Sequence, residues 1–597
     1  MILQSLVRYY DILAEDPNSG IPLLGYSRVN VSYALNITKE GELLSIIPLR
    51  IPDKKGTKYI PISMIVPEQK KRTVGIKSNF LCDNSTYVFG LDNKGKIDRA
   101  KNCFQAFKEL HLRILNEAHC DEATAVVNFV KKWDVEKAYE HPVLSKHIED
   151  IIQGANLVFQ LDSKPGVFIH DYSEVKHAWE KYKGETSSEN VRQCLVTGKR
   201  SRIAVLHPSI KGIIGGQAMG NSLVSFNALA YESYGNYKSQ GLNAPVSENA
   251  TFAYTTVLNY LLSDNAHKFV LGDTTVMFWA ESPNRGYQDC VSLLLDPSEI
   301  TSDEVKERKY DRDENAVREI KNLFEKISSG KAVKITNNIF DERTRFFILG
   351  LSPNAARISI RFFIQNSFGE IVEKFIKHYQ YMQIEKQYNN EPNSIPIWRI
   401  LYETVSPKSN EKTSSPLLSG TTLRSILQGL PYPMALYNAI LTRVKAEQSI
   451  NYFKAAVIKA NLLRNFPEKN YKEVLTMGLN DQSDNKAYVL GRLFAVLEKA
   501  QVDANPKINT TIKDMYFTSA CATPARVFPI ILRLSNHHIS KAEYGFLNDK
   551  RITEIMEKLD IKNNPYPRNL SLEEQGLFIL GYYHQKNKLY KKVEKEN

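Results

Sequence analysis

Short apolar stretches and longer amphipathic ones alternate through the first half of the chain. Residues 43–49 and 86–91 are rich in β-favouring side chains and are bounded by turn-forming residues, which is the pattern of short strands. Residues 99–117 and 121–139 repeat apolar positions at helical spacing and predict two helices. Residues 270–279 are strongly apolar and predict a further strand. The first half is therefore expected to mix helices and strands.

Beyond about residue 366 the pattern is helical almost throughout. Polar segments rich in proline, serine and asparagine interrupt it only at 388–396 and 405–420. Ser571 followed by Glu574 is the signature of a capping box, so we expect the last helix to begin there. The fold class that this pattern predicts is α+β, with a mixed α/β N-terminal body followed by an all-helical C-terminal bundle.

Changes of composition along the chain predict three parts. Residues 1–365 form the α+β body, and a charged insertion interrupts it at about 286–330. Residues 366–476 form a helical region, and residues 477–597 form a helical bundle.

Composition places the chain among ordinary globular proteins. Of its 597 residues, 43% are hydrophobic and 24% are charged. No stretch approaches the roughly 18 uncharged apolar residues that a membrane span needs, and the N-terminus lacks the features of a secretory signal. These features predict a cytoplasmic protein that does not bind a membrane.

Sites for metals, cofactors and catalysis are not evident. The six cysteines form no CxxC pair, which argues against zinc, iron–sulfur and disulfide frameworks. The sequence has no phosphate-binding glycine loop, no HExxH and no GxSxG. The adjacent His537 and His538, with His584, could be imagined as ligands, but neighbouring histidines of a helix point about 100° apart. The expectation is a protein with no metal, no cofactor and no catalytic site.

An excess of positive charge allows nucleic-acid binding without proving it. The net charge is +12 and no single block carries it, so a basic groove has to be assembled from distant segments. The first candidate combines a flexible Gly75 with cations and an amide, the side-chain types that contact phosphates and base edges. Its residues are Lys70, Lys71, Arg72, Lys77 and Asn79. An ordinary basic turn before a strand is the alternative.

Two more segments carry side chains suited to a polyanion. The first is a glycine-bearing loop with Gln217, Asn221 and Ser222, which could also be a loop that holds two strands together. The second is a basic helical stretch in which Arg443 and Lys454 lie eleven residues apart, three turns along one helical face. The solvated face of a core helix is the alternative for the second segment.

Several long motifs resemble one known family. They include IKSNFLCDNSTYVFGLD, SLVSFNALAYESYG, GDTTVMFWA, LGLSPNAARISIRFF and AYVLGRLFAVLEKAQ. On these motifs the whole chain is similar to the CRISPR-associated type I-C Cascade large-subunit family, of the Dvulg subtype.

The resemblance implies a DNA-reading subunit of a guide-loaded complex. Such a subunit recognises the protospacer-adjacent motif in double-stranded target DNA, promotes unwinding and stabilises the R-loop. The implied partners are CRISPR RNA, the Cascade backbone and crRNA-processing subunits, a small subunit, and a separate helicase-nuclease that the large subunit recruits. Alternatives are a CRISPR-associated metal-dependent nuclease or crRNA-processing enzyme, and a scaffold that reads no motif.

The resemblance also implies that the gene can yield a separate small subunit from its C-terminal part. The candidate start is Met477. The preceding Lys472, Glu473 and Val474 can be encoded AAG GAG GTN, which contains a ribosome-binding sequence at a workable distance.

Overall fold

The computed structural model divides by compactness into two units. The first unit consists of Met1–Ser209 and Val224–Leu258, and the second of Ile210–Leu223 and Asn259–Asn597. The structure describes residues 1–53, 58–69, 72, 75–92, 96–185, 190–226, 228–233, 236, 239–298, 314–328, 340–410, 412–559 and 564–591. The division falls inside the predicted body, so the predicted boundaries at 365 and 476 stay a prediction.

The first unit combines three small sheets with helices. Its strands are β1 (Tyr26–Val31), β2 (Tyr33–Ile37), β3 (Leu43–Pro48), β4 (Arg50–Pro52), β5 (Tyr59–Pro67), β6 (Asp83–Asn84), β7 (Asn156–Leu161), β8 (Val191–Gln193) and β9 (Arg200–Arg202). Its helices are α1 (Ile2–Glu15), α2 (Ser85–Val88), α3 (Ile97–Leu115), α4 (Asp121–Lys132), α5 (Ile148–Ile151) and α6 (Ser173–Glu185). Helix α7 (Glu248–Ser263) leads into the second unit.

The central sheet of the first unit has the order β3-β2-β7-β6. Strands β2 and β7 pair in parallel, and the outer pairs are antiparallel. Helices α3 and α4 cover this sheet, where Phe107, Phe129 and Phe159 pack together in the core. A second sheet has the antiparallel order β1-β5-β4, and β8 pairs with β9. The short β6 leads directly into α2 and places the candidate loop 75–84 beside the core.

The second unit begins with an antiparallel sheet and continues in helices. Its strands follow the order β10 (Lys268–Leu271), β11 (Thr274–Ala280), β12 (Arg345–Asn354) and β13 (Arg357–Ser367). Its helices are α8 (Gly286–Leu295), α9 (Glu314–Ser328), α10 (Phe368–Met382), α11 (Ile397–Tyr402), α12 (Pro416–Gln428), α13 (Met434–Glu447), α14 (Tyr452–Asn465), α15 (Lys486–Ala504), α16 (Ile512–Ala522), α17 (Pro524–Lys541), α18 (Gly545–Met556) and α19 (Leu572–Tyr590). One apolar core runs from the sheet through these helices.

Close helix packing organises the C-terminal part. Helices α15 and α19 approach so closely that a Cβ added at Gly491 would overlap the carbonyl oxygen of Phe578, and one at Gly581 would overlap that of Tyr488. The predicted capping box is confirmed, because the Ser571 hydroxyl accepts from the backbone N–H of Glu574 while the Glu574 carboxylate accepts from that of Ser571. The predicted α+β class with a helical C-terminal part is also confirmed.

Three local predictions were wrong or incomplete. Residues 86–91 are not a strand, because the Asn84 side chain caps α2 by accepting from the Thr86 N–H at 3.2 Å and the segment turns into the core as a helix. The predicted strand at 270–279 is two strands, since Gly272 turns the chain between β10 and β11 with φ +62°. Of the predicted insertion at 286–330, α8 is buried in the core and so is not a charged insertion, and residues 299–313 and 329–330 lie outside the described residues.

Candidate nucleic-acid interface

Arg72 holds the loop between β5 and α2 in place. Its guanidinium forms an ion pair with the Asp83 carboxylate, and its Nε donates to the carbonyl oxygen of Lys77 at 2.6 Å. The same guanidinium lies 3.8 Å from the ring centroid of Tyr87, a cation–π contact. Three separate contacts therefore fix Arg72, and its charge is shared with a carboxylate. Its part in binding DNA stays a prediction.

Asp83 is the centre of this loop. The carboxylate is 1% exposed and accepts the backbone N–H groups of Asn79 at 2.9 Å and Asn84 at 2.8 Å. Burial raises the pKa of the Asp83 carboxyl, while Arg72 and these N–H donors oppose the rise. A buried carboxylate with this many donors fixes the path of the backbone through the loop.

The remaining predicted residues of this segment differ in accessibility. Asn79 is buried and its Nδ2 donates to Gln69 Oε1 at 2.7 Å, so its amide serves the loop itself. Lys77 is exposed, and within the described ranges its ammonium forms no hydrogen bond or ion pair. Lys70 and Lys71 lie outside the described residues. Among the described residues of this segment, Lys77 is therefore the accessible cation.

A polar cavity of about 640 Å³ opens beside the loop. Gly75, two residues before Lys77, lines it together with Arg72 and two cations that sequence reasoning missed, Lys96 and Arg99. Both are exposed, and they flank the start of α3 at Ile97. Two cations beside a predicted helix start could have indicated a binding site. Residues 72 and 96 are far apart in sequence, however, and nothing in the sequence indicated that they line one cavity.

The glycine-bearing loop of the second unit is anchored on β12 and β13. The buried Asn221 accepts from the backbone N–H of Gln217 at 3.0 Å and donates from Nδ2 to the carbonyl oxygen of Ala355 at 2.8 Å. Ser222 donates its N–H to Ala356 at 3.0 Å and accepts from the N–H of Ile358 at 3.1 Å. Asn221 and Ser222 thus hold the loop between strands, whereas Gln217 stays exposed.

The tip of this loop is turned outward by its backbone. Gly215 and Gly220 have φ of +74° and +93°, and a Cβ at Gly216 would press on the Asn221 side chain. Gln217 and Met219 project between these fixed glycines, and both are exposed. A loop that is anchored where it leaves the sheet and carries an accessible amide at its tip is suited to contacting the edge of a nucleotide base.

Arg443 and Lys454 do not lie on one helical face, so that prediction was wrong. Helix α13 ends at Glu447, Gln448 has a left-handed φ of +49°, and α14 begins at Tyr452. Lys454 is 4% exposed and its ammonium forms an ion pair with Glu447, while Arg443 Nε lies 3.5 Å from the same carboxylate. These two cations join two helices through Glu447, and a binding role for them stays a prediction.

The described residues show little that points to metal or redox chemistry. In the part of the chain that the structure describes, no three His, Cys, Asp or Glu side chains group as metal ligands. All six cysteines are free thiols. No helix among the described residues combines the length and apolar character that a membrane crossing requires. What the exposed loops offer is cations and an amide on fixed backbones, which suits binding of a polyanion.

Comparison with known proteins identifies the family. No curated protein sequence matches the chain significantly. The family model described as CRISPR-associated protein (Cas_Csd1) matches residues 6–590, nearly the entire chain, which confirms the type I-C Cascade large-subunit family that the sequence motifs indicated. The chain therefore belongs to the Csd1 family of CRISPR-associated proteins.

Proposed function

We propose that this chain is the large subunit of a type I-C Cascade, that it recognises the protospacer-adjacent motif in duplex DNA, and that it catalyses no reaction itself. The observation that carries the proposal is the accessible ammonium of Lys77 on a loop fixed by Arg72 and Asp83. In this division of labour the guide reads the long target sequence and the protein reads only the short motif and the strand backbones.

Each accessible group has a distinct task in this proposal. Lys77, with Lys96 and Arg99 at the neighbouring cavity, contacts backbone phosphates of the motif duplex. Gln217 reads a base edge, because its amide carries both a donor and an acceptor. The loops are anchored before DNA arrives, so binding loses less conformational entropy than it would with mobile loops.

The remaining steps of the proposal involve other molecules in the cytoplasm. The motif-bound subunit promotes unwinding, stabilises the R-loop and recruits a separate helicase-nuclease. It acts within a ribonucleoprotein with CRISPR RNA and with the backbone, crRNA-processing and small subunits. Membership of a CRISPR-associated family over nearly the whole chain supports this assembly.

Motif recognition is tested with the guide-loaded complex on duplexes that carry an intact or a scrambled motif. We expect Lys77→Ala to weaken binding to the intact and the scrambled duplex by a similar factor, about tenfold, because a phosphate contact carries no sequence information. Lys101→Ala is the matched control, since Lys101 is an exposed lysine of the same unit that already pairs with Glu136. Equal affinity of the wild-type complex for both duplexes contradicts motif reading.

The absence of catalysis is tested separately with the purified chain. We expect no cleavage of single- or double-stranded DNA or of CRISPR RNA in the presence of Mg²⁺. Cleavage that a chelator abolishes would instead support the metal-dependent nuclease.

We also propose that Met477 starts the small subunit. Met477 is 54% exposed in the segment before α15, and five helices, α15 to α19, follow it. The test replaces Met477 with leucine in the gene and looks for the short product by mass spectrometry of the assembled complex. Loss of the short product supports this start, and its persistence rules Met477 out.

A further inference from the structure

A fully buried histidine of α3 contacts the loop that carries Lys77. His111 is 0% exposed, and its Nδ1 lies 2.7 Å from the carbonyl oxygen of Phe107, one turn earlier in α3. Because a carbonyl oxygen only accepts, Nδ1 carries the ring proton and Nε2 keeps a free lone pair. That lone pair accepts the backbone N–H of Leu81 at 2.9 Å. His111 therefore joins α3 to the loop through the one ring nitrogen that can accept.

The backbone that His111 contacts is in a rare conformation. Leu81 has a φ of 54°, and the Cys82 N–H donates back to the carbonyl oxygen of Phe80 at 2.7 Å, which closes a turn of three residues. Such a turn with a positive φ at its centre is uncommon and strained for a residue with a side chain. The Leu81 N–H is buried, and a buried N–H without an acceptor is costly. The His111 contact supplies that acceptor and favours the strained turn over an open one.

Aromatic packing fixes the direction of the His111 ring. Its centroid lies 3.8 Å from that of Phe107 and 5.1 Å from that of Phe80. Phe80 stacks in turn on Trp179 of α6, with centroids 5.2 Å apart and planes within 11°. Burial also lowers the pKa of His111 to about 4, so the ring is neutral near pH 7. The ring thus stays in the neutral form and the orientation that accept from Leu81.

The turn at Leu81 controls the path of the chain back to Lys77. Residues 78–80, which separate the two, are all buried. The Asn79 N–H donates to the Asp83 carboxylate at 2.9 Å, so the chain has to reverse between them. If the turn at Leu81 opens, this hydrogen bond is lost and the segment that leads to Lys77 loses its fixed path.

We propose that His111 is a positioning residue for DNA binding, which sets where the Lys77 ammonium meets the duplex by holding the turn at Leu81. His111 is buried and does not touch DNA itself. The inference rests on the proposed function of Lys77 and adds a residue that acts through it. A residue that only stabilised the first unit would weaken all DNA contacts of that unit, whereas a positioning residue affects the Lys77 contact alone.

The test is a double-mutant cycle on motif-duplex binding by the guide-loaded complex at several salt concentrations. His111→Leu keeps a similar volume and has no hydrogen-bonding atom. We expect it to weaken binding about fivefold and to lower the slope of log affinity against log salt by about 0.5, because each phosphate contact contributes about 0.9 and Lys77 keeps part of its contact. In the Lys77→Ala background the same substitution should have no further effect, since the contact that it positions is already gone.

Two further variants separate positioning from stability. His111→Gln is the conservative variant, because its Oε1 can replace Nε2 as the acceptor for the Leu81 N–H, and it should return affinity and slope close to the wild-type values. His170→Leu is the matched control, since it removes another buried histidine of the same unit, whose ring stacks on Phe168. We expect the control to lower stability and to leave the salt slope unchanged.

The outcomes distinguish this inference from the proposed function. If Lys77→Ala weakens binding but His111→Leu does not, or if the two losses add in the double mutant, His111 does not act through Lys77. If Lys77→Ala itself has no effect, the proposed function of Lys77 fails and the inference falls with it. Should His111→Leu not fold, hydrogen exchange of residues 78–83 in His111→Gln decides. Retained protection with wild-type affinity supports positioning, and lost protection with wild-type affinity overturns it.

Discussion

Buried carboxylates and lysines decide how the candidate loops are held, and Asp83 is the clearest case. It accepts from two backbone N–H groups and pairs with Arg72, all within a loop of a dozen residues. Leu81 has a positive φ of 54°, a backbone conformation that costs free energy for a branched apolar residue. The contacts to Asp83 offset that cost and leave Lys77 outside.

Replacing Asp83 with asparagine should loosen this loop. The amide cannot accept from all three donors, and Arg72 loses its countercharge, so we expect the free energy of unfolding to fall by about 2 kcal/mol. Urea unfolding measures the change, and binding of the motif duplex should weaken with it. Glu117→Gln removes an exposed carboxylate that pairs with Lys181 in the same unit and should leave the unfolding curve unchanged. If Asp83→Asn unfolds in urea along the same curve as the wild type, Asp83 does not hold this loop in place.

Lys459 makes the stability of the second unit depend on pH in the alkaline range. Its buried ammonium donates to the carbonyl oxygens of Gln383 at 2.5 Å and Thr476 at 2.8 Å, and burial lowers its pKa from 10.5 to about 8. The unfolded chain binds the Lys459 proton more tightly than the folded chain does. Folding therefore releases this proton at pH values between about 8 and 10.5. The contribution of Lys459 to stability therefore rises from about pH 8 to about pH 10.5.

The measurement compares wild type with Lys459→Met at each pH, so that tyrosine ionisation common to both cancels. The difference in free energy of unfolding, wild type minus variant, should grow by up to about 3 kcal/mol across this window. Lys377→Met, at an exposed position, should show no such growth. A difference that stays constant from pH 7 to pH 10.5 contradicts a lowered pKa for Lys459.

Single residues also show where sequence reasoning ended. The exposed positions of Lys77 and Gln217 agree with what their cationic and amide chemistry suggested. The burial of Asn221 could not be foreseen, because its partner, the Ala355 carbonyl, lies 134 residues away. Lys454 is buried for the same kind of reason, since Glu447 of α13 and Glu403, which directly follows α11, converge on it. A sequence shows which side chains can form polar contacts, but it does not show which residues they contact in the fold.

At the scale of elements, periodicity predicted helices better than short strands. The long helices α3 and α19 were anticipated because many turns repeat the same spacing and a capping box marks one start. Residues 86–91 were misread because Tyr87, Val88 and Phe89 are all buried. A short fully apolar run does not distinguish a strand from a turn of helix.

The contact between α15 and α19 offers a prediction at this scale. Gly491→Ala should force the helices apart and lower the free energy of unfolding by about 3 kcal/mol or more, because the added Cβ meets a backbone carbonyl that cannot swing away. Gly420→Ala is the matched control, since Gly420 also lies in a helix but a Cβ there meets nothing within 4 Å. The control should gain about 0.5 to 1 kcal/mol from helix propensity. Thermal unfolding of both variants gives the comparison, and equal midpoints contradict close packing at Gly491.

At the scale of the whole molecule, the C-terminal helices are continuous with the core of the second unit. Helix α19 packs so closely on its neighbours that a Cβ at Gly576 would overlap the Tyr437 hydroxyl. That hydroxyl donates to the carbonyl oxygen of Leu572 at 3.0 Å, and the Tyr583 hydroxyl donates to that of Glu385 at 2.7 Å. A product that begins at Met477 lacks Tyr437 and Glu385 and exposes the face of α19 that they cover.

We therefore expect residues 477–597, produced alone, to cover this face by association. Exposed apolar surface costs about 25 cal/mol per Å², so even a few hundred Å² favours self-association or binding to another subunit. Sedimentation velocity should show a dimer or larger species that dissociates on dilution. Gln575→Arg places a charge on the face that Lys445 contacts in the full chain and should shift the piece towards monomer. A piece that sediments as a monomer at every concentration, with a thermal transition as cooperative as that of the full chain, shows that the bundle needs no partner for this face.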